Sequence, residues 1–479
     1  MEKRGFHRII FKNVGFFGIS QLVTIGVRLV TNKFAAIFLG SAGIGIIGLL
    51  ENILTLIQSV TVFGLPASSV REVALVDDST QEENAKESKL LQILYKWSWI
   101  SGVLGVVLSL LFSKKISLEV FETTSYQSEI VALSLYFLFT SVSSIRLAVL
   151  QGKKKILYIV KYNLILSVLS SLLAVCFYYL WRINGIIPVF VGTAFIGFIL
   201  SLFFTRNYKT SSVSLKTALS QGLPMVKLGL LLSLSGILGQ ICFYIIRWYL
   251  KEYFSLEILG LYQVGNTFLV SYLGLVFTTM ANDFYPRLCN YETDKKKFND
   301  LINDQTEVAL SIVLPAILFL YLGSPLLLKL LYSEQFLEVL KILHIGLLSV
   351  ILKAVVWPLG FIPLVKGDKF EYFKQNILSD VIHVILSLVL VHFLGLNGIG
   401  IAITGMFLVS FLYNYYVAVS KYEFEFRKDT LKTIFVALIL VLIALVSVSF
   451  FGFTFQNFVV WITLAIAFWN SLQLLKKVI

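Results

Sequence analysis

The sequence predicts an all-α integral membrane protein with about fourteen transmembrane helices: two six-helix bundles in a parallel pseudo-two-fold repeat, then two C-terminal helices. Three observations predict it. Apolar runs of bilayer length fill nearly all of the 479 residues, Lys and Arg alternate between successive connections, and one half of the chain can be laid over the other. A hydrocarbon core about 30 Å thick takes roughly 20 apolar residues per helix. The 57% apolar content and mean hydropathy of +0.85 agree.

In chain order the runs are 9–38, 42–68, 91–113, 126–150, 156–180, 185–205, 224–248, 256–282, 306–331, 336–364, 371–394, 396–419, 431–452 and 457–475. The first is too long, and too interrupted by Arg28 and Lys33, for a cleaved signal peptide, so it is expected as a retained helix. Pro358 and Pro363, with Gly360 between them, interrupt the tenth run. Proline removes a helical hydrogen bond and bends the axis, which gives either a hinge or a fixed packing kink. The charged stretches 70–90 and 283–305 are expected as helices lying on the headgroups or as solvated connectors.

The net charge of +13 would point to nucleic acid in a soluble protein. Here its distribution points to a membrane instead. Lys3, Arg4, Arg8 and Lys12 precede the first run, and further cations follow the even-numbered runs, among them Arg71, Lys86, Lys89, Lys153–Lys155, Lys295–Lys297 and Lys421. The odd-numbered connections hold few. The positive-inside rule places both termini in the cytoplasm, as an even span count requires.

The halves align when 41–54 (SAGIGIIGLLENIL) is laid over 256–269 (LEILGLYQVGNTFL), which sets Gly45 on Gly260 and Glu51–Asn52 on Asn266–Thr267. Six runs separate the copies, so both have the same orientation and the axis lies along the membrane normal. The expected domains are 1–222, 223–420 and 421–479.

Cys176, Cys242 and Cys289 are scattered and are expected as buried free thiols; four histidines form no metal-ligand spacing, so no metal site or cofactor is expected. Walker, HExxH and GxSxG motifs are missing from the sequence, which leaves ionisable residues within the runs to carry function. A charge at the bilayer centre costs about 2.5–3.5 kcal/mol on insertion scales, so such residues are expected to face one another or water. The cations are Arg28, Lys33, Arg146, Arg247, Lys251 and Lys353, and their excess over acids favours an anionic ligand. Each has a second reading. Lys33, Lys251 and Lys353 have stems that reach an interface, Arg247 adjoins the interfacial pair Trp248–Tyr249, and Arg146 stands near a headgroup level. Arg28 is deepest, and its guanidinium can hold phosphate oxygens bidentately. Glu51 either neutralises a cation or carries a coupling proton; Asp283 and Arg287, at the end of the eighth run, are expected to serve in coupling or in charge pairing. Asp380 and His383, one turn apart, form a proton relay or a structural hydrogen-bonded pair.

Four segments carry a family likeness: FLGSAGIGIIGLLENI (38–53), FTTMANDFYPRL (277–288), VWPLGFIPLVKGDKFEYF (356–373) and LGLNGIGIAITG (394–405). In their order and spacing the chain resembles the Wzx-type lipid-linked oligosaccharide flippases. These are O-antigen translocases, or polysaccharide biosynthesis proteins, of the multidrug/oligosaccharidyl-lipid/polysaccharide exporter superfamily. The resemblance implies two bundles making a V around a central cavity. It implies that an undecaprenyl-pyrophosphate-linked oligosaccharide passes from the cytoplasmic to the periplasmic leaflet of a bacterial inner membrane by alternating access. It also implies cavity cations, with Arg28 in the expected region of helix 1, and as partners membrane lipids, a polysaccharide polymerase and a chain-length regulator. The chain departs from some relatives at Glu51, about where they carry a basic residue. A coupling ion, H⁺ or Na⁺, is left open. The alternative is a cation-coupled multidrug extruder of the same superfamily, which calls for a cavity dominated by carboxylates. A membrane-embedded glycosyltransferase needs a larger extramembrane loop than the roughly 20 residues that this chain's loops offer.

Overall fold

The computed structural model describes residues 2–75, 81–208, 210–450 and 459–468. Among them all regular structure is helical, and ten segments are long and apolar enough to cross a membrane. Two of the ten contain a break where the sequence separates two runs. Gly26–Thr61 is interrupted at Gly40 (φ 70°, ψ −170°), a conformation open to glycine and strained for other residues. Ile156–Thr205 is interrupted by a 3₁₀ turn at Arg182–Gly185. The run at 457–475 is represented by an apolar helix at Val459–Phe468, its remainder lying outside the described residues.

The chain divides into two compact units, Met1–Tyr244 and Ile245–Ile479. The first holds α1 (Glu2–Thr61), α2 (Leu65–Leu75), α3 (Gln81–Leu111), α4 (Ser113–Phe121), α5 (Gln127–Gly152), α6 (Ile156–Trp181), α7 (Ile186–Thr205) and most of α8 (Leu215–Tyr253). Helix α3 packs on α5, α5 on α7, and α1 and α7 on α6. Val62, Leu65, Leu91, Leu94, Val149 and Met225 form a buried cluster joining α2, α3, α5 and α8. Two buried hydroxyls of α3 return their bonds to the backbone: Ser98 donates to Tyr95 O (2.7 Å), and Ser101 crosses to Thr61 O (2.7 Å). That economy suits a lipid environment, where an unsatisfied polar group is costly and small residues let helices approach closely.

The second unit holds α9 (Leu256–Asn266), α10 (Gly274–Asn290), α11 (Lys295–Leu331), α12 (Leu340–Val365), α13 (Lys369–Leu394), α14 (Leu396–Tyr422) and α15 (Lys428–Phe450). Helix α14 packs against both α12 and α13, and α11 against α12 and α15. Three N-termini, those of α9, α11 and α13, are capped by side-chain oxygens: Ser255 Oγ accepts from Ile258 N (3.3 Å), Asp294 from Lys297 N (3.2 Å) and Asp368 from Glu371 N (3.0 Å). Large apolar side chains point outward on the spanning helices, with Phe393 77% exposed and Leu326 69%. Lipid, not water, is the solvent that tolerates them.

Two expectations need correction. Within 70–90 and 283–305 the described residues lie mostly on helices and not on separate surface helices or long connectors: α2 runs to Leu75, α3 starts at Gln81, α10 runs to Asn290 and α11 starts at Lys295, leaving a four-residue turn at 291–294. Lys86, Lys89 and Lys295–Lys297 thus ride on the polar ends of α3 and α11, because Glu, Lys and Gln are good helix formers and need no apolar face there. Cys176 is exposed rather than buried, and Cys242 and Cys289 are half-buried; none of the three is in a disulfide. The contact division falls at 244, inside α8. The N-terminal part of α8 is tied to the first unit by Asn52 Nδ2, which donates to Gln240 Oε1 (3.0 Å), and by glycine contacts at Gly222 and Gly229.

Candidate functional site

In the first unit three expected residues lie on α1. Arg28 is exposed, Lys33 half-buried and Glu51 exposed. The charge of Glu51 acts on Tyr136 of α5 and Tyr178 of α6, which places it toward those helices. Thr31 Oγ1 donates to Ser171 Oγ (2.7 Å) and fixes α1 against α6 between Arg28 and Lys33. Arg146 is engaged on both sides. Its guanidinium lies 4.2 Å from the Tyr95 ring centroid, and Nη1 donates to Thr205 Oγ1 (2.6 Å). It thereby joins α5 to α3 and α7.

The second unit brings a different set together. Arg247 is buried; Nη2 donates to Gln263 Oε1 (3.2 Å), and the guanidinium stands 5.9 Å from the Tyr262 ring centroid. Its charge reaches His383, also buried. The expected Asp380–His383 pair does not form: among the described residues the half-buried Asp380 carboxylate has neither a hydrogen bond nor an ion pair. The histidine turns its electrostatics to Arg247 instead. Lys251, one turn beyond Arg247, has its ammonium 3.9 Å from Glu252 with a side chain only 8% exposed.

Lys353 stands apart from these. Its ammonium lies 5.2 Å from the Phe277 ring centroid and 5.9 Å from that of Phe407, so α12 presents it between α10 and α14. A Cβ on Gly274 would come within 3.8 Å of that nitrogen. No carboxylate pairs with Lys353 among the described residues. Two aromatic faces replace the partner; cation–π attraction is worth about 2 kcal/mol when desolvated.

Between Gln263 and Gly274 the helix widens into a π-helical stretch, Thr267–Tyr272, with Leu273 N donating to Phe268 O (3.4 Å). Thr267 Oγ1 donates to Gln263 O (2.8 Å), a back-bond that competes with the helical ladder. Such bulges gather at functional positions. Tyr262 OH and Asn266 Oδ1, in the turn just before, are buried without a hydrogen bond among the described residues. Sequence reasoning assigned no role to Tyr262, Gln263 or this bulge. Gln263 in an apolar run was the available signal.

Pro358, Gly360 and Pro363 lie within a single continuous α12. Gln375 Nε2 of α13 donates to Gly360 O (2.8 Å), so the proline-containing stretch is tied to the neighbouring helix. Arg287 is exposed, and the Asp283 side chain lies outside the described residues.

The arrangement thus offers buried cations flanked by neutral and aromatic groups, and no grouping of three His, Cys, Asp or Glu occurs among the described residues. The chain is similar to lipid III flippase of Escherichia coli (strain K12) and of Shigella flexneri, each 21% identical over 382 residues, 78% of this chain and 89% of the relative. Its fold matches lipid II flippase MurJ in an inward closed conformation, with a TM-score of 0.69 at 17% identity, covering 96% of this chain and 98% of that one. It also matches an inward-facing multidrug resistance MATE family transporter of the MOP superfamily, with a TM-score of 0.60 at 15% identity over 81% and 93% of the two chains. The sequence pattern of one family extends over residues 34–341, and by that match the chain belongs to the family described as Polysaccharide biosynthesis protein.

Proposed function

We propose that this protein is a flippase, not an enzyme, and that it carries a lipid-linked oligosaccharide across the membrane. The observation that carries this reading is Lys353: a cation in a candidate span, walled by Phe277 and Phe407, with no carboxylate partner among the described residues. An ammonium so placed is suited to an anionic headgroup. Membership of the family and the likeness to lipid III flippases over most of both chains support the oligosaccharide-lipid class. A pyrophosphate and its sugars cannot enter hydrocarbon without polar partners, and intramembrane cations offset that desolvation.

In its finer form the substrate is an undecaprenyl-pyrophosphate-linked repeat unit of O-antigen type, moved from the cytoplasmic to the periplasmic leaflet of the inner membrane by alternating access. The fourteen-span count, the two six-helix bundles and the cytoplasmic termini belong to the same proposal. Arg28, Arg247 and Lys353 are its foremost anion-handling residues, with Lys33 and Lys251 secondary; Arg146, held by Tyr95 and Thr205, is assigned to packing. One observation favours a second reading. Asp380, a half-buried carboxylate without a partner among the described residues, is what a cation-coupled extruder would use.

The test is complementation of a bacterial strain lacking its O-antigen flippase, with membrane expression checked. The parent chain restores surface glycan; Arg28→Ala and Lys353→Ala reduce it at least tenfold, and Lys353→Arg retains part. If the parent leaves lipid-linked repeat unit accumulating on the cytoplasmic side while conferring drug resistance that Asp380→Asn abolishes, the extruder reading replaces this one.

A further inference from the structure

Where α2, α3 and α8 end together, they enclose a concavity of about 410 Å³. Ligand pockets commonly fall between about 300 and 1,000 Å³. Arg71 of α2, Lys86 and Lys89 of α3 and Gln221 of α8 form its polar rim, and Leu90, Ile93 and Met225 its apolar floor. Glu72 is the single carboxylate among the described lining residues. It stands 3.6 Å from Arg71, whose side chain is nonetheless 62% exposed, so the guanidinium is open to a further partner.

Several basic residues at other helix ends have close partners of their own. Lys153 pairs with Glu87 at 2.7 Å, Lys421 with Asp368 at 2.5 Å, and Lys366 donates to Glu292 O. Among the described lining residues the α2–α3–α8 pocket sets three cations and one carboxylate over an apolar base.

The pocket is also preformed. The first turns of α8 are fastened to the helices that make the other walls. Trp97 Nε1 donates to Ala218 O (2.9 Å), and Gly222 sits so close to that indole that a Cβ would lie 1.9 Å from Nε1. Two turns further, Gly229 meets the backbone of Phe63–Gly64, at the elbow that leads into α2; a Cβ on Gly229 would lie 2.3 Å from Phe63 O. Rigid walls spare a ligand the entropic cost of ordering them.

We infer that this pocket binds the phosphate headgroup of an anionic membrane lipid. The arginine fork and two ammonium groups face the phosphate oxygens, while Leu90, Ile93 and Met225 receive the glycerol and first acyl carbons. The apolar floor favours a lipid over free phosphate. Because α8 supplies one wall, a bound lipid stabilises the state in which α8 is fastened to α2 and α3. This inference is independent of the transported substrate.

The full-length protein in detergent is titrated at fixed salt with short-chain phosphatidylglycerol, short-chain phosphatidylcholine and inorganic pyrophosphate, with unfolding followed by tryptophan fluorescence. Phosphatidylglycerol is expected to raise the melting temperature saturably, and the other two are not. The Arg71→Gln/Lys86→Gln/Lys89→Gln variant is expected to weaken the response at least tenfold. Lys295→Gln/Lys296→Gln, which removes charge from another surface, leaves it unchanged. Should the triple variant fail to fold, the single Lys89→Gln carries the same expectation with a smaller loss. An undiminished response in the pocket variants overturns the inference. So does an equal response to phosphatidylcholine, and an equal response to pyrophosphate reduces the pocket to a free-phosphate site and overturns the lipid.

Discussion

Asp368 joins α12 to α13 and carries three bonds at once. Lys421 Nζ donates to Oδ2 (2.5 Å), the Glu371 N–H to Oδ1 (3.0 Å) and Tyr422 OH to Oδ2 (3.0 Å). With the Lys421 hydrogen bond as the largest cause, its pKa is lowered to about 2 from an ordinary 3.8. A carboxyl depressed in the folded state stabilises it fully above its unfolded pKa, and that stability is lost as pH falls through the folded value. The melting temperature of the parent is therefore expected to drop between about pH 4 and pH 2 more steeply than that of Asp368→Asn, which lacks this proton linkage. Arg427 poses a second case. Its Nη2 donates to Asp304 Oδ1 (2.5 Å) and to Glu307 Oε1 (3.1 Å), and the buried Glu307 also accepts from Thr430 Oγ1 (2.5 Å). Arg427→Ala leaves that carboxylate without its cation. A fully buried broken pair costs about 3–5 kcal/mol; because the Arg427 side chain is 38% exposed, about 2 kcal/mol is expected, read as thermal destabilisation in detergent. Glu307→Gln added to Arg427→Ala is expected to recover part of the loss. Residue types at membrane depth were legible in the sequence, but their partners were not. Nothing in the spacing of Arg146, Tyr95 and Thr205 announces their contact, which only the packing of three helices creates.

Helix α8 shows what an element adds. Gly222, Gly229 and Gly236 recur every seven residues, yet they meet different surroundings. Gly229 abuts backbone, which cannot rotate aside, whereas a Cβ on Gly236 would find nothing within 4 Å. Gly229→Ala is expected to destabilise by about 1–3 kcal/mol through overpacking. Gly236→Ala is expected to stabilise by up to about 1 kcal/mol, the difference in helix propensity. Paired melting curves at one scan rate check both, and a loss shared by the two variants would refute the backbone contact as the cause. At this scale the sequence reading did well where chain chemistry is local. The break between runs ending at 38 and starting at 42 falls at Gly40, the gap 180–185 holds the turn at Arg182–Gly185, and Gly395, with φ of 55°, separates α13 from α14. It missed the π-helical stretch at Thr267–Tyr272, because a widened turn has no periodicity of its own over six residues. It also ended helices too early, since hydropathy marks where lipid begins and not where the helix stops.

For the molecule as a whole, the alternation of cations predicts orientation. A fluorescent protein fused after residue 479 is expected to fluoresce, while alkaline phosphatase inserted at 395–396 is active and at 366–369 inactive. The reverse pattern would invert the proposed direction of transport. Lys353 has one more consequence, which concerns how the chain is made. Its helix segment, Glu334–Val365, has a mean hydropathy of 2.2, enough to enter the bilayer despite a lysine that costs about 2.5–3.5 kcal/mol at a helix centre. Phe277 precedes that lysine in synthesis, but Phe407 follows it, on α14. The nascent protein must therefore hold a half-sheltered charge until α14 emerges from the ribosome. A chain arrested before α14 should present Lys353 to quality-control proteases that recognise intramembrane charge, and completion of α14 is the event that hides it.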